Sequence, residues 1–108
     1  MTWEVVLSDE ANTDADDILR YTSDTFGERQ RDIYEPVIVN AVDHLRSGPD
    51  IRHSQSRDDV APGLRTWHLR RTGARASHML VYRAVADHRI DILRILHDRM
   101  EISRHLPD

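Results

Sequence analysis

At 108 residues the chain is long enough for one domain, residues 1–108, with a modest core and no need of covalent staples. It has no cysteine, which excludes disulfides and thiolate metal sites, and neither a long apolar run nor a hydrophobic leader, so a cytoplasmic location without a membrane span is expected. The net charge of −4 hides a polarity: residues 1–50 hold four Arg against twelve Asp and Glu, and residues 51–108 hold eleven Arg against seven acids. There is no Lys, which excludes lysine-based chemistry. The basic half would attract an acidic peptide, a phosphate backbone or another negative partner, while the acidic half would repel nucleic acid.

Trp3 to Leu7 is short and β-branched, which predicts a first strand. Ser8 then caps a helix from Asp9 to Phe26, in which Ala11, Ala15, Ile18, Leu19, Thr22 and Phe26 recur on one face. Asp9, Glu10, Asp14, Asp16 and Asp17 crowd its start, where the helix dipole favours negative charge; they read as a solvated first turn and a half rather than a metal site. Gly27 closes this helix and Glu28 opens a second, with a stripe of Ile33 or Tyr34, Val37, Ile38, Ala41, Val42 and Leu45 that ends at Gly48-Pro49. The two form an antiparallel hairpin. Pro36 predicts a kink between Asp32 and Pro36, at a cost of about 3 kcal/mol, rather than two separate helices, because the stripe continues across it.

Asp50 to Pro62 has no period and mixes both charge signs, which predicts a mobile connecting loop. Its His53, Ser54 and Ser56 lack the strand-to-helix turn of a hydrolase nucleophile. Gly63 to Arg71 reads as a strand with Arg65, Trp67, Leu69 and Arg71 on one side, and Thr72-Gly73-Ala74 as a hairpin turn. Arg75 to Val85 follows, with His78, Leu80, Tyr82 and Ala84 sharing a face. Asp87-His88 turns the chain into Ile90 to Leu96, which is apolar on both faces apart from Asp91 and Arg94 and so belongs inside the sheet. The order predicts an α+β domain: first strand, antiparallel helix hairpin, three-stranded antiparallel meander and short C-terminal helix, with the helices packed on one face of the sheet.

The other face would then be partly open, and Arg65, His78, Tyr82, Arg83, Arg94, His97 and Arg99 would lie on it or at its rim. Two Arg clamping a phosphate while His or Tyr moves a proton would suit RNA cleavage. The spacing alone favours a plainer reading, in which His78 and Tyr82 are half-buried sheet residues and Arg94 satisfies a carboxylate or a helix C-terminus. Seven scattered histidines show no metal-ligand spacing, so neither a metal nor a cofactor is expected.

Leu7-Ser8-Asp9-Glu10-Ala11 is followed by Asp16-Asp17-Ile18, Tyr21, Phe26-Gly27 and Tyr34, then by Leu45 with Pro49 and by Gly63-Leu64-Arg65. His78 with Tyr82-Arg83 comes next, and Ile92 to Arg99 with Met100 and His105-Leu106 last. In order and spacing, over about a hundred residues, this set resembles the ParE branch of the RelE/ParE toxin superfamily. The resemblance implies the toxin of a type II toxin–antitoxin system, neutralised by a ParD-like antitoxin in a hetero-oligomer and acting on DNA gyrase without a reaction of its own or sequence-specific contact with nucleic acid. It implies target contact through Arg94, His97, Arg99, Met100 and Arg104, and antitoxin contact through Ile18, Tyr21, Tyr34, Ile38, Arg65 and Arg83. The alternatives are a RelE-type messenger RNA endonuclease, which would use Arg65, His78, Tyr82 and Arg83, and a family member that binds antitoxin but is not toxic. Pro36 and the loop from Asp50 to Pro62, which lacks a glycine common after the family's proline, depart from the pattern.

Overall fold

The computed structural model describes residues 2–106. Strand β1 (Glu4–Leu7) leads into helices α1 (Asp9–Phe26) and α2 (Glu28–His44), and then come β2 (Gln55–Ser56), β3 (Leu64–His68), β4 (His78–Val85) and β5 (Arg89–His97). Short 3-10 turns lie at Leu45–Ser47, Leu69–Thr72 and Ile102–Arg104. The strands form one sheet in the order β1-β5-β4-β3-β2, with β1 parallel to β5 and all other neighbours antiparallel. The α+β class is as the sequence predicts. The sheet is wider than the predicted meander on both sides: β1 joins it beside β5, and Gln55–Ser56, inside the predicted loop, pairs with Arg65 and Thr66.

Local chemistry accounts for the helices. The Ser8 hydroxyl accepts the Ala11 N–H at 3.0 Å and starts α1. Gly27, at φ +97°, ends it and lets α2 begin at the next residue. Pro36 lies inside an uninterrupted α2. Val37, Ile38 and Ala41 are buried directly after it, and burial of that size offsets a proline cost of about 3 kcal/mol. These residues join Ala11, Leu19, Trp67, Leu80, Tyr82, Ile90, Ile92 and Ile95 in the core between hairpin and sheet.

A bulge in β5 sets which side chains reach that core. Val81 pairs with Arg94 but Tyr82 pairs with Ile92, so Leu93 is left without a partner. Plain alternation from Ile90 and Ile92 would send Arg94 toward the helices; the extra residue sends Ile95 instead, while Leu93 and Leu96 pack on the opposite face. Strand β1 ends opposite Ile92, and beyond it α1 takes over the exposed edge of β5. Ser8 donates to the Leu93 carbonyl at 2.8 Å, and the Asp14 carboxylate accepts the Ile95 N–H at 2.9 Å. Asp14 also accepts two bonds from Arg94, at 2.7 and 2.8 Å, and Arg94 donates a third to the His105 carbonyl. Asp14 is therefore not part of a solvated acidic turn.

Three further expectations are corrected. The face away from the helices is not left open over its centre, because Leu64, Val81, Leu96 and Ile102 form a second core there, covered by Val60, Ala61 and Leu106. No hairpin turn joins β3 to β4: Leu69 leaves the strand to be buried with the α2 residues, and a 3-10 turn ending at Gly73 follows it. The loop after Asp50 is anchored rather than loose, since Trp67 Nε1 donates to the Arg52 carbonyl at 2.9 Å and Arg65 Nε to Ser54 at 2.7 Å.

The Asp14–Arg94 pair is mostly shielded, with side-chain exposures of 13% and 22%. Arg94→Met, which strands the carboxylate, is expected to lower stability by about 3 kcal/mol in urea unfolding. Asp14→Leu combined with Arg94→Met recovers part of that loss, because no charge is then left unpaired.

Candidate functional site

Helices α1 and α2 form one wall of a groove of about 790 Å³. The chain from Ala74 to His78, leading into β4, and His97 to Met100, leaving β5, form the other. Four large apolar side chains on its walls are exposed: Tyr21 and Phe26 at 65%, Ile33 at 53% and Met100 at 45%. Tyr21 and Phe26 meet edge to face with their centroids 6.4 Å apart. Exposed apolar side chains gathered around one concavity mark a surface built to be covered.

The floor is polar. Tyr34 Oη lies 2.7 Å from His78 Nδ1, and the His78 and His97 rings meet edge to face at 5.4 Å. Burial raises the Tyr34 pKa, so its hydroxyl keeps its proton while hydrogen-bonded to His78. Burial, and next the neighbouring His97, lower the His78 pKa to about 4, so this imidazole is neutral at pH 7. Beside the floor, His68 Nε2 donates to Asp98 at 2.9 Å, which holds that carboxyl below its ordinary range. Among the described residues no group of three or more acidic or histidine side chains is arranged to hold a metal ion.

Of the residues named for RNA cleavage only Arg65 and Tyr82 come together, as register partners on β3 and β4 that share Ser54. Tyr82 is fully buried against the helices, and its hydroxyl donates to the Pro49 carbonyl at 2.6 Å. It closes a chain in which Arg65 donates to Ser54 and the Ser54 and Tyr82 hydroxyls are hydrogen-bonded at 2.6 Å. Burial raises the Tyr82 pKa, which disfavours the phenolate that a general base would need. Arg83 is exposed on the opposite face, paired in register with Leu64. His78 lies four positions from Tyr82 along β4, roughly 13 Å by strand rise.

The residues named for binding divide differently. Ile18, Tyr21 and Tyr34 line the groove, and so do His97 and Met100, which the sequence assigned to another partner. Ile38 is 5% exposed and packs in the core, away from this groove. Arg94 is held by Asp14 and the His105 carbonyl, and Arg65 by Ser54. Arg99 is exposed, and Arg104 pairs with Glu101 at 3.1 Å. Sequence reading passed over Phe26 and Ile33 as groove residues. Their signal was position: Phe26 ends α1 beside Gly27, where the hairpin tip leaves nothing above it, and Ile33 lies beside the buried stripe rather than on it.

The family profile described as the ParE toxin of the type II toxin–antitoxin system, parDE, matches residues 5–102. The chain belongs to the ParE toxin family. Toxin ParE1 of Mycobacterium tuberculosis, in strains CDC 1551 / Oshkosh and ATCC 25618 / H37Rv, is 30% identical over 106 residues, spanning 98% of this chain and all of the relative. A solved structure titled "Chromosomal ParDE TA system from P. aeruginosa" superposes with a TM-score of 0.68 at 24% identity, covering 88% of this chain and 95% of that one, and shares the fold. The groove is therefore carried on the fold of a ParE family member.

Two measurements test the site's chemistry. His78 titrates near 4 when folded and near its ordinary 6.5 when unfolded, so the unfolded chain binds the extra proton in that window. Its stabilising contribution is complete above pH 6.5 and is lost as pH falls toward 4. Urea midpoints should show a loss of about 1 to 2 kcal/mol between pH 7.5 and 5, after discounting for solvent contact, and His78→Gln should flatten it. Tyr82→Phe is expected to cost about 1 to 2 kcal/mol and to speed amide exchange in residues 50–56.

Proposed function

We propose that this ParE family member is the toxin of a type II toxin–antitoxin pair, folded as one domain over residues 1–108 and acting in the cytoplasm. Its groove receives a ParD-like antitoxin, and its target is DNA gyrase. The observation that carries the antitoxin assignment is the uncovered apolar wall of Tyr21, Phe26, Ile33 and Met100 around the neutral Tyr34–His78 pair. An amphipathic segment folding onto that wall would bury its own apolar side chains and lose little by desolvation. The structural relative's title names a ParDE system, which supports a hetero-oligomeric partnership.

The gyrase assignment rests on family membership and acts through binding, with no cofactor. The burial of Tyr82 beside Arg65, with His78 and Arg83 set apart from them, supports binding over the nuclease alternative. His97 and Met100, candidates for target contact, line the same groove as Ile18, Tyr21 and Tyr34. An antitoxin seated there would cover them, so neutralisation follows from occlusion.

The chain, freed from its partner, is expected to inhibit gyrase supercoiling and to leave messenger RNA intact in a translation extract. Cut transcripts with normal supercoiling would move the answer to the nuclease class; silence in both assays would mark an antitoxin-binding member without toxicity. Tyr21→Ala and Phe26→Ala should each weaken antitoxin binding about tenfold or more in calorimetry. Gyrase should compete with antitoxin for the wild-type chain.

A further inference from the structure

His97 lies on the groove wall, and its Nδ1 has two neighbours that it cannot satisfy together. The Arg99 backbone N–H donates to Nδ1 at 3.2 Å, and a carboxylate oxygen of Asp98 lies 3.4 Å from the same atom. Accepting an N–H requires a lone pair on Nδ1, which puts the proton of the neutral ring on Nε2. An imidazolium carries protons on both nitrogens, so it can no longer accept from Arg99 and can donate to Asp98 instead. The neutral and charged rings therefore hold different partners.

The surroundings keep both arrangements within reach. The Asp98 backbone is pinned by its N–H to the Ser77 carbonyl at 2.8 Å. Its other carboxylate oxygen bonds His68 Nε2, which above all holds the carboxyl below its ordinary range and so ionised over the histidine range. His68 is itself fixed, because its Nδ1 accepts the Arg70 N–H at 3.1 Å. From β4, His78 meets His97 edge to face, and burial holds its pKa at about 4; Tyr34 of α2 keeps its proton behind it. The other charged side chains lining the groove are Asp17 of α1, paired with Arg20, and Arg75 ahead of β4. Imidazoles as a class change charge between about pH 5 and 8, and His97 and His78 are the two that line the groove.

The Arg99 bond belongs to the turn that carries Met100. The Met100 N–H returns to the His97 carbonyl at 2.9 Å, and the His97 side chain supplies the second tie within this turn. The Met100 side chain forms part of the groove wall.

We propose that His97 is a proton-operated latch on the groove. Neutral, it ties the Arg99 N–H and leaves a wall fit for apolar cover. Protonated, it releases Arg99, turns Nδ1–H to Asp98 and sets a charge on the wall that expels an apolar occupant. The proposal rests on the reading of the groove as a docking surface and adds its control. An apolar cover desolvates the charged ring, so the open chain binds a proton that the covered chain does not. Affinity is then complete at the alkaline end and falls with pH, by at most about tenfold per unit for one coupled proton.

The test follows the full chain from about pH 8 to about pH 5 by two readouts. In NMR of the nitrogen-labelled chain, the His97 ring should pass from the Nε2–H tautomer to imidazolium, and the Arg99 amide should shift and lose exchange protection in step with it. N-phenyl-1-naphthylamine, an apolar probe uncharged over this range, should bind the groove in a manner weakened by Phe26→Ala and should lose affinity several-fold by the acid end. His97→Gln keeps an acceptor but takes no proton, and should make the affinity level with pH. Circular dichroism checks that this variant folds, and the wild-type NMR titration carries the test if it does not. A His97 ring that gains its proton with the Arg99 amide unmoved would overturn the proposal, as would probe affinity that stays level with pH or a fall that persists in His97→Gln. Probe binding at pH 8 that Phe26→Ala leaves unweakened would overturn the groove reading and the proposal with it, whereas level affinity at a Phe26-dependent site overturns the proposal alone.

Discussion

The Asp14 carboxylate, held between a helix and a bulged strand, is the contact on which the arrangement of this chain depends. β5 continues past the end of β1 with an unpaired edge, and a bare edge among apolar neighbours is costly. Asp14 takes the Ile95 N–H, Ser8 supplies the hydroxyl that the Leu93 carbonyl needs, and Arg94 neutralises Asp14 while holding the His105 carbonyl. One carboxylate thereby joins α1, β5 and the C-terminal segment. The bulge makes this possible by turning Arg94 off the helix-facing side, where its charge would have met Leu80, Ile92 and their neighbours.

With the hairpin docked in this way, the two ends of the helix pair differ. Near their middle, Leu19, Val37, Ile38 and Ala41 are spent on the core. At the tip, around Gly27, the sheet no longer lies beneath them, and Tyr21, Phe26 and Ile33 stay uncovered. The groove follows from that overhang. Its polar floor tolerates apolar cover because Tyr34 and His78 satisfy one another and carry no charge at neutral pH. Tyr82 illustrates the opposite outcome for a similar residue: its hydroxyl is spent on anchoring the loop at Pro49 and Ser54, so it serves the scaffold rather than a reaction.

Much of the scaffold was legible in the residues. The bounds of α1, the Ser8 cap, the Gly27 break and the Asp87-His88 turn all rest on local chemistry. Asp87 and His88 both adopt positive φ, as a tight hairpin with this twist requires. The edge pairing of Gln55–Ser56 was not legible, because two polar residues carry no periodic signal and pair only where β3 is already in place. Nor was the fate of Leu69, which alternation placed in a strand and burial against α2 drew out of it. For the site, Ile18, Tyr21, Tyr34, His97 and Met100 were named in advance. That they share one groove was not, since they come from stretches far apart in the chain.

The sequence by itself determined the α+β class, the helix hairpin, the charge polarity and the membership of the ParE family, because each depends on residue type at short spacing or on a pattern running along the chain. Tertiary structure alone decided which side of β5 faces the helices, since a single extra residue reverses the alternation and leaves no mark in composition. It also decided that Arg94 is held by Asp14 and that Ile38 packs in the core. Whether a charged or apolar side chain is free for a partner depends on what the fold places beside it, and that neighbour lies 80 positions away for Arg94.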